Sequence, residues 1–166
     1  MILIALGANL PGAAGQSPRE TCRTAAASLR EIAGLTFIAL SGWYRTQALP
    51  TGDQPDYCNG VIRFEGDADP ADLLTDCLQL EQVFARTRDG PNAARTLDID
   101  LIDINGLLRD APDPILPHPR AHLRGFVLRP IMDVAPGWRH PVLRQSVSTL
   151  LSDLPPQRVV PWNEPV

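Results

Sequence analysis

Apolar and polar positions alternate along the chain in two rhythms, one of strands and one of helices. Met1 to Leu6 is an unbroken apolar run closed by Gly7-Ala8-Asn9, which reads as a first, buried strand. Ser17-Pro18-Arg19-Glu20 opens a helix: Ser17 can cap, Pro18 suits the first helical position, and Glu20 completes a capping box. That helix should reach about Ala33, where Gly34 stops it. Leu35 to Arg45 alternates loosely through Phe37, Ile38, Leu40, Trp43 and Tyr44, predicting one long strand. Gln47 to Pro55 is a loop with two prolines and a glycine, and Tyr57 to Phe64 is another strand. Asp69-Pro70 repeats the cap-then-Pro start, and Leu73, Leu74, Cys77, Leu78, Leu80 and Phe84 form a helical stripe to about Ala85.

The strand 96–104 follows a polar loop from Thr87 to Ala94. After Gly106 the chain is Pro-rich over 111–119, which reads as a loop inside the domain. A helix is expected from about Pro119 to Asp133, and a short one over Ser146 to Leu151. Trp138 to Pro141 can join a last strand. No internal repeat or low-complexity tract is present. The order is β-α-β-β-α-β plus a C-terminal extension, over one domain spanning 1–166. Two βαβ halves, with strands on one side and two helices on the other, predict a ferredoxin-like α+β sandwich.

Composition narrows the chemistry. The net charge of −4 gives no general nucleic-acid footprint. All 15 basic residues are Arg, so any phosphate must be held by guanidinium forks, backbone N–H groups or metal. Cys22, Cys58 and Cys77 are odd in number and far apart in sequence, which suggests reduced thiols in a cytoplasmic protein rather than a disulfide framework or zinc site. The apolar N-terminus is too short to span a membrane and lacks a signal-peptide pattern.

The stretch Arg95-Thr96-Leu97-Asp98-Ile99-Asp100-Leu101-Ile102-Asp103 places acids inside an apolar strand. Strand alternation puts Asp98 and Asp100 on one face, with Cα atoms roughly 6.5–7 Å apart. Leu97, Ile99 and Leu101 point to the core, and Asp103 faces the other side as a turn residue. Two carboxylates this close repel unless a cation joins them. Mg²⁺, which takes one or two carboxylates plus phosphate and water, is the economical partner. A half-exposed strand with both acids solvated is the bland alternative. Arg86, Arg88 and, at the strand's entry, Arg95 precede the pair in sequence; they suit either a structural ion-pair network or a polyphosphate–metal site. Glu81 falls on the edge of the helical stripe, as a partner for Arg86 or Arg88 or as support for such a site.

Two more clusters carry chemistry. His118 lies between Pro117 and Pro119, so its backbone is nearly fixed. Arg120 and Arg124 are four apart, on one face of the expected helix. This is a phosphate contact or a structural histidine; His118 and His122 as a metal pair lack a third ligand. Tyr57 and Asn59 share a strand face, where a ring beside a carboxamide can stack on and hydrogen-bond a flat heterocycle. Taken alone, the pair is more often explained by a tyrosine packed in an ordinary sheet.

These pieces, in order, resemble the 6-hydroxymethyl-7,8-dihydropterin pyrophosphokinase family of folate biosynthesis. The matching stretches are ALGANL, YRTQAL at 44–49, DQPDYCNGV, Glu81 with Arg86 and Arg88, RTLDIDLI, and LPHPRAHLRGFVLRPI. The resemblance implies transfer of pyrophosphate from ATP to the pterin hydroxymethyl group, with AMP leaving. It implies that Asp98 and Asp100 hold two Mg²⁺ and that Arg86 and Arg95 stabilise phosphate charge. His118, Arg124, Arg120, Arg88, Leu101 and Glu81 fall in the nucleotide set. The pterin would lie between Tyr57 and Phe126, its edge read by Asn59 and by backbone near Thr46 and Leu49. The partners implied are small molecules, with no nucleic acid and no membrane, acting on a monomer. The stretch Pro91-Asn92-Ala93-Ala94 departs from the Trp and Gly/Ala-Pro common in the family. On that departure a nucleotide- or pterin-binding paralogue of weak activity stands as an alternative, and a kinase for another alcohol as a third.

Overall fold

The structure is a computed structural model that describes residues 1–47, 54–84 and 96–163. It contains the strands β1 (Ile2–Ala8), β2 (Leu35–Leu40), β3 (Tyr44–Thr46), β4 (Tyr57–Gly66), β5 (Asp98–Ile104) and β6 (Val159–Pro161). The α-helices are α1 (Pro18–Leu29), α2 (Pro70–Val83), α3 (Gly125–Val134) and α4 (Val147–Asp153). The fold is α+β. One antiparallel sheet runs β5-β1-β4-β3-β6, and β2 also pairs with β4.

Both helix starts form as their residues require. The Ser17 hydroxyl accepts the Glu20 N–H while the Glu20 carboxylate accepts the Ser17 N–H, a complete capping box. Asp69 accepts the N–H groups of Ala71 and Asp72. The first helix ends at Leu29 rather than 33, and Gly34 takes the left-handed conformation with φ 82°.

The long strand expected over 35–45 is two strands. Ser41, Gly42 and Trp43 interrupt it, and the Ser41 hydroxyl accepts the Val61 N–H that the ladder leaves free. Trp43 turns its ring onto Gly60, where an added Cβ would lie 2.6 Å from the indole. Glycine at 60 is therefore a condition of the break.

Helices cover both sheet faces, not one. Ile2, Ile4, Leu6, Ile62, Phe64, Ile99 and Leu101 form a core with Cys22, Ala25 and Leu29 of α1 and Leu73 and Cys77 of α2. On the other face, Leu3, Val61 and Ile102 pack on Val127, Leu128 and Ile131 of α3, Val147 and Leu150 of α4, and Trp138. The C-terminal extension is thus a third layer. All three cysteines are free and buried, and burial pushes the Cys77 thiol up to about 12, which leaves it inert.

Three local expectations are corrected. Residues 119–133 are not one helix: a 3-10 turn at Ala121–Leu123 precedes α3, and Arg124 between them is extended, with φ −117° and ψ 105°. Trp138 to Pro141 makes only a single bridge, Arg139 to Ser146; the last strand is β6. Asp103 does not face away from Asp98 and Asp100. A bulge between Leu101 and Asp103 puts Asp103 opposite Leu3, on the face of the second core. There it is 2% exposed and accepts hydrogen bonds from Trp138 Nε1 (2.7 Å) and Gly106 N (2.8 Å).

Candidate active site

Three central strands and the turn before α3 meet around a cavity of about 550 Å³. Its floor follows from register. Gly7 of β1 stands between Asn59 of β4 and Asp98 of β5, and Ala5 stands between Val61 and Asp100. Because paired residues of an antiparallel ladder share a face, Asn59, Gly7, Asp98, Ala5 and Asp100 all look toward α3. Leu3, two residues nearer the chain start, fills the second core. The side chains shrink from Leu3 to Ala5 to Gly7, and the cavity opens where they do. An added Cβ at Gly7 would lie 3.2 Å from Asn59 Oδ1, so the floor has no room for one without movement.

The acidic wall comes from β5. Asp98 and Asp100 both line the cavity, as alternation requires. The Asp100 carboxylate meets Arg124 Nη1 at 3.3 Å and His118 Nε2 at 3.7 Å. His118 is docked through its backbone: its N–H donates to the Ile102 carbonyl on β5 (2.9 Å). Its Nδ1 accepts the Arg120 N–H (3.1 Å), so the ring proton sits on Nε2 and faces Asp100. Burial lowers the His118 pKa, and the neighbouring Asp100 charge opposes that shift. The neutral imidazole is the resting form at neutral pH.

The opposite wall is aromatic and polar. Tyr57, Asn59 and Thr46 line it, and Asn59 Nδ2 donates to Thr46 Oγ1 (2.8 Å). Phe126, on the first turn of α3, faces them, with the Arg124 guanidinium 5.4 Å from its ring centre. Behind this wall the Tyr44 hydroxyl donates to Asp133 (2.9 Å), which also accepts the Gly42 N–H (3.1 Å). Burial first, and Asp133 second, push the Tyr44 phenol up to about 12, so this strut between β3 and α3 stays protonated.

Of the residues singled out in the sequence, the cavity gathers Thr46, Tyr57, Asn59, Asp98, Asp100, Arg120, Arg124 and Phe126. Arg120 and Arg124 reach it from a bent turn, not from one helix face. Leu49, Arg86, Arg88 and Arg95 lie outside the described residues, as does the 91–94 stretch. Three described residues of the nucleotide set do not line the cavity: His118 stands behind Asp100, 3.7 Å from its carboxylate, and Leu101 and Glu81 lie deeper. Leu101 is buried in the core beneath α1 and α2. Glu81 is 2% exposed and accepts the Ile99 N–H at 2.8 Å, on the strand between the two aspartates. Its position explains its place on the helical stripe: it braces β5 from the core side. Gln47, Pro156, Gln157, Arg158 and Val159 line the cavity without having been singled out. The tail lacks periodicity; its pairing with β3 and the Gln157 hydrogen bonds to Leu123 and Gly125 bring it here.

The donor set suits a hard cation in part. Two carboxylates on one strand face are oxygen ligands of the right kind. Among the described residues, no three His, Cys, Asp or Glu side chains gather to hold a metal. Any cation would complete its shell with ligand oxygens and water. No described helix is long and apolar enough to cross a membrane.

Residues 3–136 match the family described as 7,8-dihydro-6-hydroxymethylpterin-pyrophosphokinase (HPPK). The chain belongs to this family. It is 33% identical over 135 residues to the 2-amino-4-hydroxy-6-hydroxymethyldihydropteridine pyrophosphokinase of Synechocystis, covering 81% of this chain and 69% of that one. It is 34% identical over 140 residues to the like-named protein of Pseudomonas aeruginosa, covering 84% and 83%. The Bacillus subtilis protein of that name is 33% identical over 132 residues, covering 79% and 75%. The matched stretch, 3–136, spans β1, β4 and β5, both carboxylates and Phe126.

Proposed function

We propose that this chain transfers the pyrophosphoryl group of ATP to the hydroxymethyl group of 6-hydroxymethyl-7,8-dihydropterin, releasing AMP, in folate biosynthesis. The observation that carries this reading is the single cavity in which Asp98 and Asp100 face Tyr57, Asn59 and Phe126, with Arg120 and Arg124 at one side. Family membership supports the same reaction. The strand order β5-β1-β4, with β2 and β3 both on β4, supports a ferredoxin-like βαββαβ core for the first 104 residues.

The roles divide by wall. Tyr57 and Phe126 hold the flat ring between them, and the Asn59 carboxamide with Thr46 reads its edge. The hydroxymethyl oxygen bonds to the β-phosphorus and loses its proton. The bond from that phosphorus to the oxygen bridging the α-phosphate breaks, and AMP leaves with the oxygen. Asp98 and Asp100 would hold two Mg²⁺, which when bound neutralise triphosphate charge and orient its oxygens. Arg124, Arg120 and neutral His118 contact phosphate oxygens, and Arg86, Arg88 and Arg95 add guanidinium charge from their own segment. No protein nucleophile takes part; positioning and electrostatics supply the rate. One chain builds the cavity, which is consistent with a monomer acting on small molecules, and the buried free thiols suit the cytoplasm.

AMP release from ATP and Mg²⁺, with and without the pterin, tests the proposal. Pterin-dependent AMP is expected, and Asp98→Ala or Asp100→Ala should abolish it while the circular dichroism spectrum stays unchanged. Full activity in either variant would sink the assignment. Pterin and nucleotide binding without turnover would favour the weak paralogue. ATP use with another alcohol alone would favour the third reading.

A further inference from the structure

We propose that the C-terminal strap, residues 156–159, is a working wall of the substrate site, and that Gln157 is a positioning residue for Arg124 and Phe126. The inference rests on the functional reading above. It concerns a segment that lies outside the stretch matched to the family, 3–136.

The strap is tied to the site from both sides. Downstream, β6 pairs with β3, placing Val159 opposite Thr46. Trp162 N donates to the Trp43 carbonyl (2.8 Å), and the Arg45 guanidinium lies 4.3 Å over the Trp162 ring. Upstream, the Gln157 carboxamide brackets Arg124. Its Oε1 accepts the Gly125 N–H (2.8 Å), and its Nε2 donates to the Leu123 carbonyl (3.0 Å).

Arg124 needs such a bracket. It joins the 3-10 turn to α3 in an extended conformation and makes no side-chain cap. The first N–H of α3, at Gly125, has no partner within its own helix. Gln157 supplies that partner and holds the carbonyl on the other side of Arg124. Gly125 fits this arrangement: an added Cβ would lie 3.0 Å from Gln157 Oε1 and 3.3 Å from Val159 Cγ2. One amide thus sets the backbone between the guanidinium that meets Asp100 and the ring expected to cover the pterin.

The test uses the full chain and three variants, Gln157→Ala, Arg124→Ala and the double. Gln157→Ala is expected to lower kcat/KM about tenfold, the equivalent of one hydrogen bond of about 1.4 kcal/mol. If Gln157 acts through Arg124, the double variant falls no further than Arg124→Ala, because the two effects are coupled. Amide hydrogen exchange supplies a readout that needs no turnover: Gly125 N–H should exchange faster in Gln157→Ala while Leu128 N–H is unchanged. Unchanged kinetics in Gln157→Ala, additive losses in the double variant, or unchanged Gly125 exchange would each overturn the positioning role. Absence of pterin-dependent AMP from the unaltered chain would instead overturn the functional reading, and the positioning role with it.

Discussion

Glu81→Ala probes how the acidic strand is held. The Glu81 carboxylate is 2% exposed and accepts the Ile99 N–H at 2.8 Å, one residue from each aspartate. Ile99 is itself 5% exposed, so water cannot readily replace the lost acceptor. A hydrogen bond to a charged group contributes about 1.5–3 kcal/mol, and an orphaned buried N–H carries a penalty of similar size. Glu81→Ala should therefore destabilise the fold by about 1.5–3 kcal/mol, or lower Tm by roughly 3–12 °C for a chain of this size. Glu81→Gln keeps an oxygen acceptor at the same reach and should restore most of that loss. Urea unfolding followed by circular dichroism gives both numbers. AMP release under saturating substrates should fall in Glu81→Ala with the loosened strand and recover in Glu81→Gln. A Glu81→Ala protein of full stability would refute the bracing role. Full stability with a raised KM for ATP would assign Glu81 to the nucleotide site alone.

Two further outcomes follow from buried polar groups. Trp138→Phe removes the 2.7 Å donor to Asp103 inside the second core and should cost about 1.5–3 kcal/mol in urea unfolding; an unchanged midpoint would deny that bond a role. His140 is 4% exposed, and its Nδ1 accepts the N–H groups of Val142 and Leu143. Burial first, then the His122 neighbour, lowers its pKa from the ordinary 6.5, against an opposing pull from Asp103. The unfolded chain then binds the proton more readily than the folded one, so this contribution is fully present above about pH 6.5. It is lost as pH falls toward the folded value. His140→Asn, whose carbonyl oxygen can accept in place of Nδ1, should flatten the stability profile between pH 7.5 and 5 (about the titration range of histidine). An identical slope in both proteins would refute the assignment.

Local rules carried the sequence reading a long way. Ser17-Pro18-Arg19-Glu20 and Asp69-Pro70 named both helix starts, because a cap and its N–H partners lie within three residues. The alternation Asp98-Ile99-Asp100 set both acids on one face, and family motifs named Thr46, Tyr57, Asn59, Arg120, Arg124 and Phe126, which line the cavity with them. Interactions between distant segments decided the rest. The bulge that turns Asp103 inward depends on how β5 registers against β1, and the break at 41–43 depends on Trp43 finding Gly60 on β4. That Glu81 accepts the Ile99 N–H became visible only when α2 packed against β5. The tail carries no periodicity, so its place beside Arg124 came from pairing with β3 and from one carboxamide. Hydrogen bonds within a turn are written in adjacent residues; those between segments exist only after the sheet has brought the partners together.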